Sequence, residues 1–468
     1  MPPVFCHSLE ELFQHIDIHK HKHLSFHHHL RNGDFVMNTV LRHYRDEQVE
    51  GLHLHPSSIF PSYTMLLELL ERGQIASVTT NYLNGPVAQW ISEHGLPGEL
   101  KMQTHGGRAR SIIDGRDRID VAYLAAPAVD AMGNAVGYLG QHRCGSLGYA
   151  VADSQHAGIT VLVTDTVLSD PITDPEIQGV DVDYVVIVDA IGDPDGIVSG
   201  TTSITTHPIG VRIASLTVAA LDAIGAIREG FSFQSGAGGV SLRVTDELSK
   251  IMRQRHITAS FFSGGITGHH VAMLEAGLVD RLYDVQCFDL AAVDSLARND
   301  RHIPISASRY ANPADPDQVI ADLDVVILGA TEVDLDFNVN VTTDSHGVLI
   351  GGSGGHSDTA SESQVTVIVS PLMRGRLPLI KDRVTTITTK GEHVDLIVTE
   401  RGIAVHPERV DLKAKLEQTT LPVMTIETLQ AIAHSYTGKP VDPPLGERII
   451  GVVEDRTYEI LDNIHQKK

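Results

Sequence analysis

Residues Leu323 to Ala360 read LDVVILGATEVDLDFNVNVTTDSHGVLIGGSGGHSDTA. Val325-Val326-Ile327-Leu328 is an apolar, β-branched run of the kind that forms a strand buried on both faces. Three carboxylates follow at alternate positions, Glu332, Asp334 and Asp336, and would share one side if the extended conformation persists. Like charges this close disfavour one another, so at least one is expected to have a raised pKa unless a cation or solvent intervenes. Gly351-Gly352-Ser353-Gly354-Gly355-His356 then supplies backbone N–H groups that can turn toward an oxyanion. Carboxylates and a glycine loop at a strand's C-terminal end form an active-site arrangement in open α/β sheets.

An earlier stretch repeats the pattern. DVAYLAAPAVD, Asp120 to Asp130, aligns without gaps on DVVILGATEVD, Asp324 to Asp334, and each is followed by a glycine-containing stretch, Cys144–Gly148 and Gly351–Gly355. Phe26 to Gly33 and Phe233 to Gly239 match in the same way. Repeated units at similar offsets imply two α/β domains with their functional loops on equivalent sheet edges. From Gly33 to Asp189, short apolar runs alternate with helical patterns, which predicts a mainly parallel sheet covered by helices. A turn-rich seam between Asp193 and Pro208 divides the chain into residues 1–204 and 205–468.

The whole composition narrows the class. The chain has 468 residues, 42% of them hydrophobic and 20% charged, as in a globular protein of two or three domains. Its formal net charge of −23 argues against nucleic acid and anionic membrane as partners, and means that an anionic substrate needs local arginines. Three cysteines make no disulfide framework, and neither a signal peptide nor an apolar run of membrane-spanning length is visible, so a cytoplasmic protein is expected. Seven histidines fall between His15 and His29; His19, His21 and His23 would share a strand face, but no accompanying ligand pattern points to a metal. Gln103-Thr104-His105-Gly106-Gly107-Arg108 places two glycines before an arginine, suited to close approach of an anion and a bidentate contact. Gln234-Ser235-Gly236-Ala237-Gly238-Gly239 is a second glycine loop at a helix start.

TEVDLDFNVN followed by GGSGGHSDTA resembles the signature of the citrate lyase alpha subunits, within the CoA-transferase superfamily. SFHHHLRNGD, QTHGGRAR, CGSLGYA, EGFSFQSGAGG, DVQCFD, SPLMRGRLP and RGIAVHP extend the likeness over nearly the whole chain, in matching order. The resemblance implies two similar CoA-transferase-like domains with the site between them. It implies a citrate CoA-transferase that exchanges the acetyl group of an acyl-carrier thioester for citrate, releasing acetate and forming citryl thioester. Its partners would be the lyase (beta) and acyl carrier (gamma) subunits in an oligomer. No tightly bound cofactor is implied; a CoA-derived prosthetic group on the carrier is a substrate. Substrate contacts are expected from His28, His105, Gly106, Gly107, Arg108, Arg374 and Arg376, and the thioester's CoA moiety from Gly236, Gly238, Gly239, Gly352, Gly354, Gly355 and His356. Glu332 is the candidate catalytic carboxylate. Many superfamily members attack the thioester with a glutamate after a glycine turn, whereas Ser263-Gly264-Gly265-Ile266-Thr267-Gly268-His269-His270 carries no acid before Glu275, which favours direct attack by the incoming carboxylate. A transferase for another acid such as citramalate, a fold-related sugar-phosphate isomerase or deaminase, and an acyl-CoA-sensing subunit are the alternatives.

Overall fold

The computed structural model of the chain describes residues 2–198, 203–236, 238–441 and 444–468. Two large sheets carry the fold. The first holds β1 (Val4–Cys6), β2 (His23–Phe26), β3 (Leu52–Pro56), β4 (Ile75–Thr80), β5 (Leu100–Met102), β6 (Val121–Ala125), β7 (Ile159–Thr164) and β8 (Tyr184–Ile187). The second holds β9 (Ser232–Ser235), β10 (Ala259–Ile266), β11 (Val279–Cys287), β12 (His302–Pro304), β13 (Val325–Gly329), β14 (Val365–Val369), β15 (Leu396–Val398) and β16 (Ile403–Val405).

Their orders coincide over seven strands and differ at the eighth. The first sheet runs β5-β4-β3-β2-β6-β7-β8-β1 and the second β12-β11-β10-β9-β13-β14-β15-β16, with β15–β16 the antiparallel pair among these. The repeated aspartates do the same work in both. Asp120 accepts from the backbone N–H of His23 at 3.1 Å, and Asp324 from that of Ser232 at 2.9 Å, so each pins the start of the neighbouring strand. Asp130 caps the turn to Asn134, and Asp334 the turn to Asn338, each accepting both the backbone and side-chain N–H groups of its asparagine. Inside those turns Gly133 and Phe337 occupy equivalent places with φ of 83° and 65°. A residue with a Cβ in that region costs roughly 1–2 kcal/mol; the Phe337 ring is buried against His406.

Strand β13 shows why these runs are apolar throughout. Val325 and Ile327 pack into one hydrophobic core, while Val326 and Leu328 pack into another on the opposite face. Each such side chain, fully buried, contributes about 1.5–3 kcal/mol of transfer free energy. The helices that cover the sheets include Val36–Asp46, Thr64–Glu71 and Pro86–His94 on the first and Pro208–Ile224 and Gly239–Arg255 on the second.

Two expectations need correction. The extended run stops at Asp334, whose carboxylate takes the N–H of Asp336 at 3.1 Å, so the three carboxylates do not line one strand face. His19 lies in a turn and His21 precedes β2, which begins at His23 and stacks on His53 with ring centroids 4.3 Å apart. In addition, β17 (Ile449–Glu454) and β18 (Ile460–His465), placed with the second domain by position, extend the first sheet: β17 pairs in parallel with β5. Arg456, in the turn between them, reaches back to Glu362 and to Gln318 of the second half.

Candidate active site

The two sheets present their C-terminal edges to one cavity of about 530 Å³. His28 and Arg31 arrive just past β2, Ser58 and Phe60 past β3, Tyr82 past β4 and His105 past β5. From the other half come Gln234 at the end of β9, Gly264 and Gly265 in β10, Gln286 near the end of β11 and Phe288 after it. Leu328 and Gly329 close β13, and Gly352 to His356 form a loop beside them. In each sheet the strand order reverses here, between β2 and β6 and between β9 and β13, which is the crevice where open α/β sheets bind ligands.

Three histidines in the wall are held neutral. Burial pushes His28 well below its ordinary pKa, His105 down to about 3 and His356 to about 4. A neutral ring has one donor and one acceptor, and the partners here assign them. Ser57 donates to His28 Nδ1 at 2.6 Å, and Nε2–H donates to Gln286 Oε1 at 3.2 Å. Asn81 Nδ2 donates to His105 Nδ1 at 3.0 Å, which leaves the proton on Nε2. His356 Nε2–H donates to the Gly329 carbonyl at 2.9 Å. Tyr149 stacks on His28 and lies tilted against His105, with centroids 4.7 and 4.4 Å away.

The charge inventory is short. Among the described residues that line the cavity there is no aspartate, glutamate or lysine, and the one arginine is Arg31. Its guanidinium sits 5.4 Å from the Phe60 centroid and 5.0 Å from that of Phe288, one ring from each half. Nη1 donates to the Ile197 carbonyl at 3.3 Å. Arg31 has φ of 52°, in the left-handed region.

The structure brings together His28, His105, Gly236, Gly238, Gly352, Gly354, Gly355 and His356, all in the cavity wall. The backbone N–H of His105 donates to Gly354 O at 2.9 Å, so the two glycine-bearing loops touch. Gly352 packs so closely that a Cβ there would lie 2.3 Å from the Asn81 carbonyl oxygen. Other candidates are elsewhere. Gly106 and Gly107 lie in the first turn of the helix His105–Ile113, and their N–H groups are spent on Asp358 and Thr104, each at 2.9 Å. Arg108 turns away into a buried pair with Asp153, 2.7 Å, and also donates to Ser25 and the His55 carbonyl. Gly239 begins the helix behind Gly238 and is not in the wall. Arg374 and Arg376 stand exposed on the ribbon Met373–Arg374/Leu377–Pro378.

Glu332 is also outside the wall. It is fully buried and meets Lys381 Nζ at 2.6 Å, with Ser345, Asn340 and the Thr385 N–H as further donors. Burial raises its pKa, but Lys381 and the hydrogen bonds outweigh this and leave it below the ordinary value. Asp334 is raised by burial itself, the opposite outcome two residues on. Sequence reasoning gives no site role to Arg31, Tyr149, Gln234, Gln286 or Tyr310, although the first four sit in the motifs SFHHHLRNGD, CGSLGYA, EGFSFQSGAGG and DVQCFD.

Residues 4–467 match the family model described as citrate lyase, alpha subunit. The chain belongs to the citrate lyase alpha subunit family. It is 42% identical over 463 residues to a protein of Haemophilus influenzae named citrate lyase alpha chain, covering 99% of this chain and 93% of that one. A Streptococcus mutans protein named as a citrate lyase alpha subunit, solved in complex with citrate, superposes with a TM-score of 0.96 at 41% identity, over 100% of this chain and 92% of that chain. A 4-hydroxybutyrate CoA-transferase from Porphyromonas gingivalis shares the fold, with a TM-score of 0.57 at 14% identity over 92% of this chain and 97% of its own. Membership in the citrate lyase alpha subunit family thus joins a CoA-transferase architecture to a cavity whose described wall holds no carboxylate.

Proposed function

We propose that the chain is the transferase component of a citrate lyase. A citrate carboxylate attacks the acetyl carbonyl of a thioester and expels the thiolate, giving a mixed citryl–acetyl anhydride. The thiolate then attacks the citryl carbonyl and expels acetate, so one oxygen of citrate leaves in acetate and citryl thioester remains. The physiological thioester is carried on the CoA-derived arm of an acyl carrier (gamma) subunit, and the lyase (beta) subunit cleaves the citryl product.

The observation that supports this reading is that the described lining residues include no carboxylate, and the turn Ser263–His270, whose Gly264 and Gly265 line the cavity, carries no acid. The nucleophile must then come with the substrate. The cavity supplies position and fixed hydrogen-bond donors, which is where much of the rate enhancement of such a transfer arises. His105 offers an Nε2–H as a neutral donor toward an oxyanion.

Isotope transfer tests it. In a single turnover with acetyl-CoA and ¹⁸O-carboxylate citrate, acetate should acquire one heavy oxygen, and citryl-CoA should appear without oxaloacetate. Unlabelled acetate in the first turnover would mean that an enzyme carboxylate supplied the oxygen, and oxaloacetate from this chain alone would overturn the division of labour.

A further inference from the structure

We propose that Arg31 selects a polycarboxylate acceptor by holding a carboxylate that does not react, while a different carboxylate attacks the thioester. This rests on the transferase reading and extends it from the reaction to the choice of acid.

Three observations converge on Arg31. The first is its uncommitted charge. Buried arginines elsewhere are spent on acidic partners, Arg108 on Asp153 and Arg456 on Glu362. Arg31 forms no ion pair among the described residues; of the five N–H donors of a guanidinium, one has the Ile197 carbonyl. The second is the clamp. Phe60 and Phe288 approach the guanidinium from the two halves of the molecule, so its orientation depends on both walls of the cavity. An aromatic clamp of this kind favours the cation while leaving N–H edges for a bidentate carboxylate. The third is the setting. In a chain of net charge −23, an acceptor with several negative charges meets a cavity whose neighbouring histidines are neutral and whose described lining residues hold no other cation. The backbone at Arg31 is also left-handed, a conformation that asparagine or glycine adopts more easily, so an arginine stands there against local preference.

The full chain, with acetyl-CoA as donor, separates the contributions. Citrate and radiolabelled acetate serve as acceptors, the latter read as label exchange into acetyl-CoA. Arg31→Gln should raise the citrate KM about tenfold or more, while acetate exchange and the acetyl-CoA KM stay within about twofold of wild type. Arg31→Lys should recover part of the citrate affinity, since it restores charge without the planar fork. A citrate KM unchanged in Arg31→Gln overturns the proposal, and so does an equal loss for acetate and citrate. Melting curves verify the fold, and if Arg31→Gln does not fold, the citrate-to-acetate ratio in Arg31→Lys decides alone. If the wild-type chain makes no citryl-CoA, the transferase reading fails separately; calorimetric titration of citrate into wild type and Arg31→Lys still tests the anchor, with weaker binding by Arg31→Lys expected and equal affinity overturning it.

Discussion

Gln286 is bonded to His28 twice: its amide nitrogen donates to the His28 carbonyl and its amide oxygen accepts from the His28 ring, both at 3.2 Å. The two residues are 258 positions apart and come from opposite halves of the molecule. One neutral amide therefore sets the spacing of the cavity walls at this point and the tautomer of the histidine. Gln286→Glu keeps the size, adds a negative charge and replaces the donor to the His28 carbonyl with an acceptor. It should raise the citrate KM about tenfold or more and, through the pairing of the introduced carboxylate with His28, add a pH dependence that wild type lacks. A citrate KM equal to wild type across the pH range would show that the cavity does not sense charge at this position.

Glu332→Gln should act on stability. The glutamate faces Lys381 inside the protein, and removing one charge of a buried pair costs roughly 3–5 kcal/mol. Denaturant titration should show that loss, while the folded fraction keeps its citrate KM and kcat. A large fall in kcat with unchanged stability would return Glu332 to the chemistry.

Arg108→Ala follows the same logic through a different pair. Asp153 is 0% exposed and would lose its cation, again a cost of about 3–5 kcal/mol. Any kinetic loss should fall equally on citrate and on acetyl-CoA. A selective rise in citrate KM would place Arg108 in the site after all.

Melting temperature should fall as the pH is lowered below neutrality. Burial pushes His27 and His356 down to about 4, His55, His105 and His270 to about 3, and His28 and His29 well below their ordinary value. The unfolded chain takes up those protons near pH ~6.5 and the folded chain does not, so stability is lost as pH falls from there toward 4. Asp34 and Glu176, raised by burial to about 7, and Asp358, raised to about 6, work in the other direction and lose their contribution as pH rises toward neutrality. Among the fully buried groups seven histidines oppose three carboxyls. Each unbalanced proton is worth about 1.4 kcal/mol per pH unit, so calorimetry at pH 5, 6 and 7 should give the lowest melting point at pH 5. A maximum at pH 5 would contradict the neutral histidines.

The strands legible in the sequence are those buried on both faces, such as Val121–Ala125 and Val325–Gly329, because a chain with one solvated face would interrupt the apolar run with polar residues. The aspartates flanking them mark the duplication for a related reason: their hydrogen bonds are local or to an adjacent strand start. His28, His105 and the loop from Gly352 to His356 are visible through their residue types. Arg108 misleads because two glycines and an arginine look alike whether the partner is a ligand or Asp153, 45 residues on. Glu332 misleads because nothing near it in sequence announces Lys381. Arg31 and Gln286 acquire meaning only when Phe60, Phe288 and His28 are brought together from distant segments.

The β17–β18 hairpin bears on how the molecule is assembled during synthesis. Its Glu454 bonds to Gln103 across 351 residues, and β17 covers the edge of β5. The first half emerges early from the ribosome, yet it cannot complete its own sheet until the entire second half has been made. In the interval β5 is an open strand edge, available to another copy of the same nascent chain. Closure then ties both halves through Arg456, so the sheet begun first in translation is completed only with strands made last.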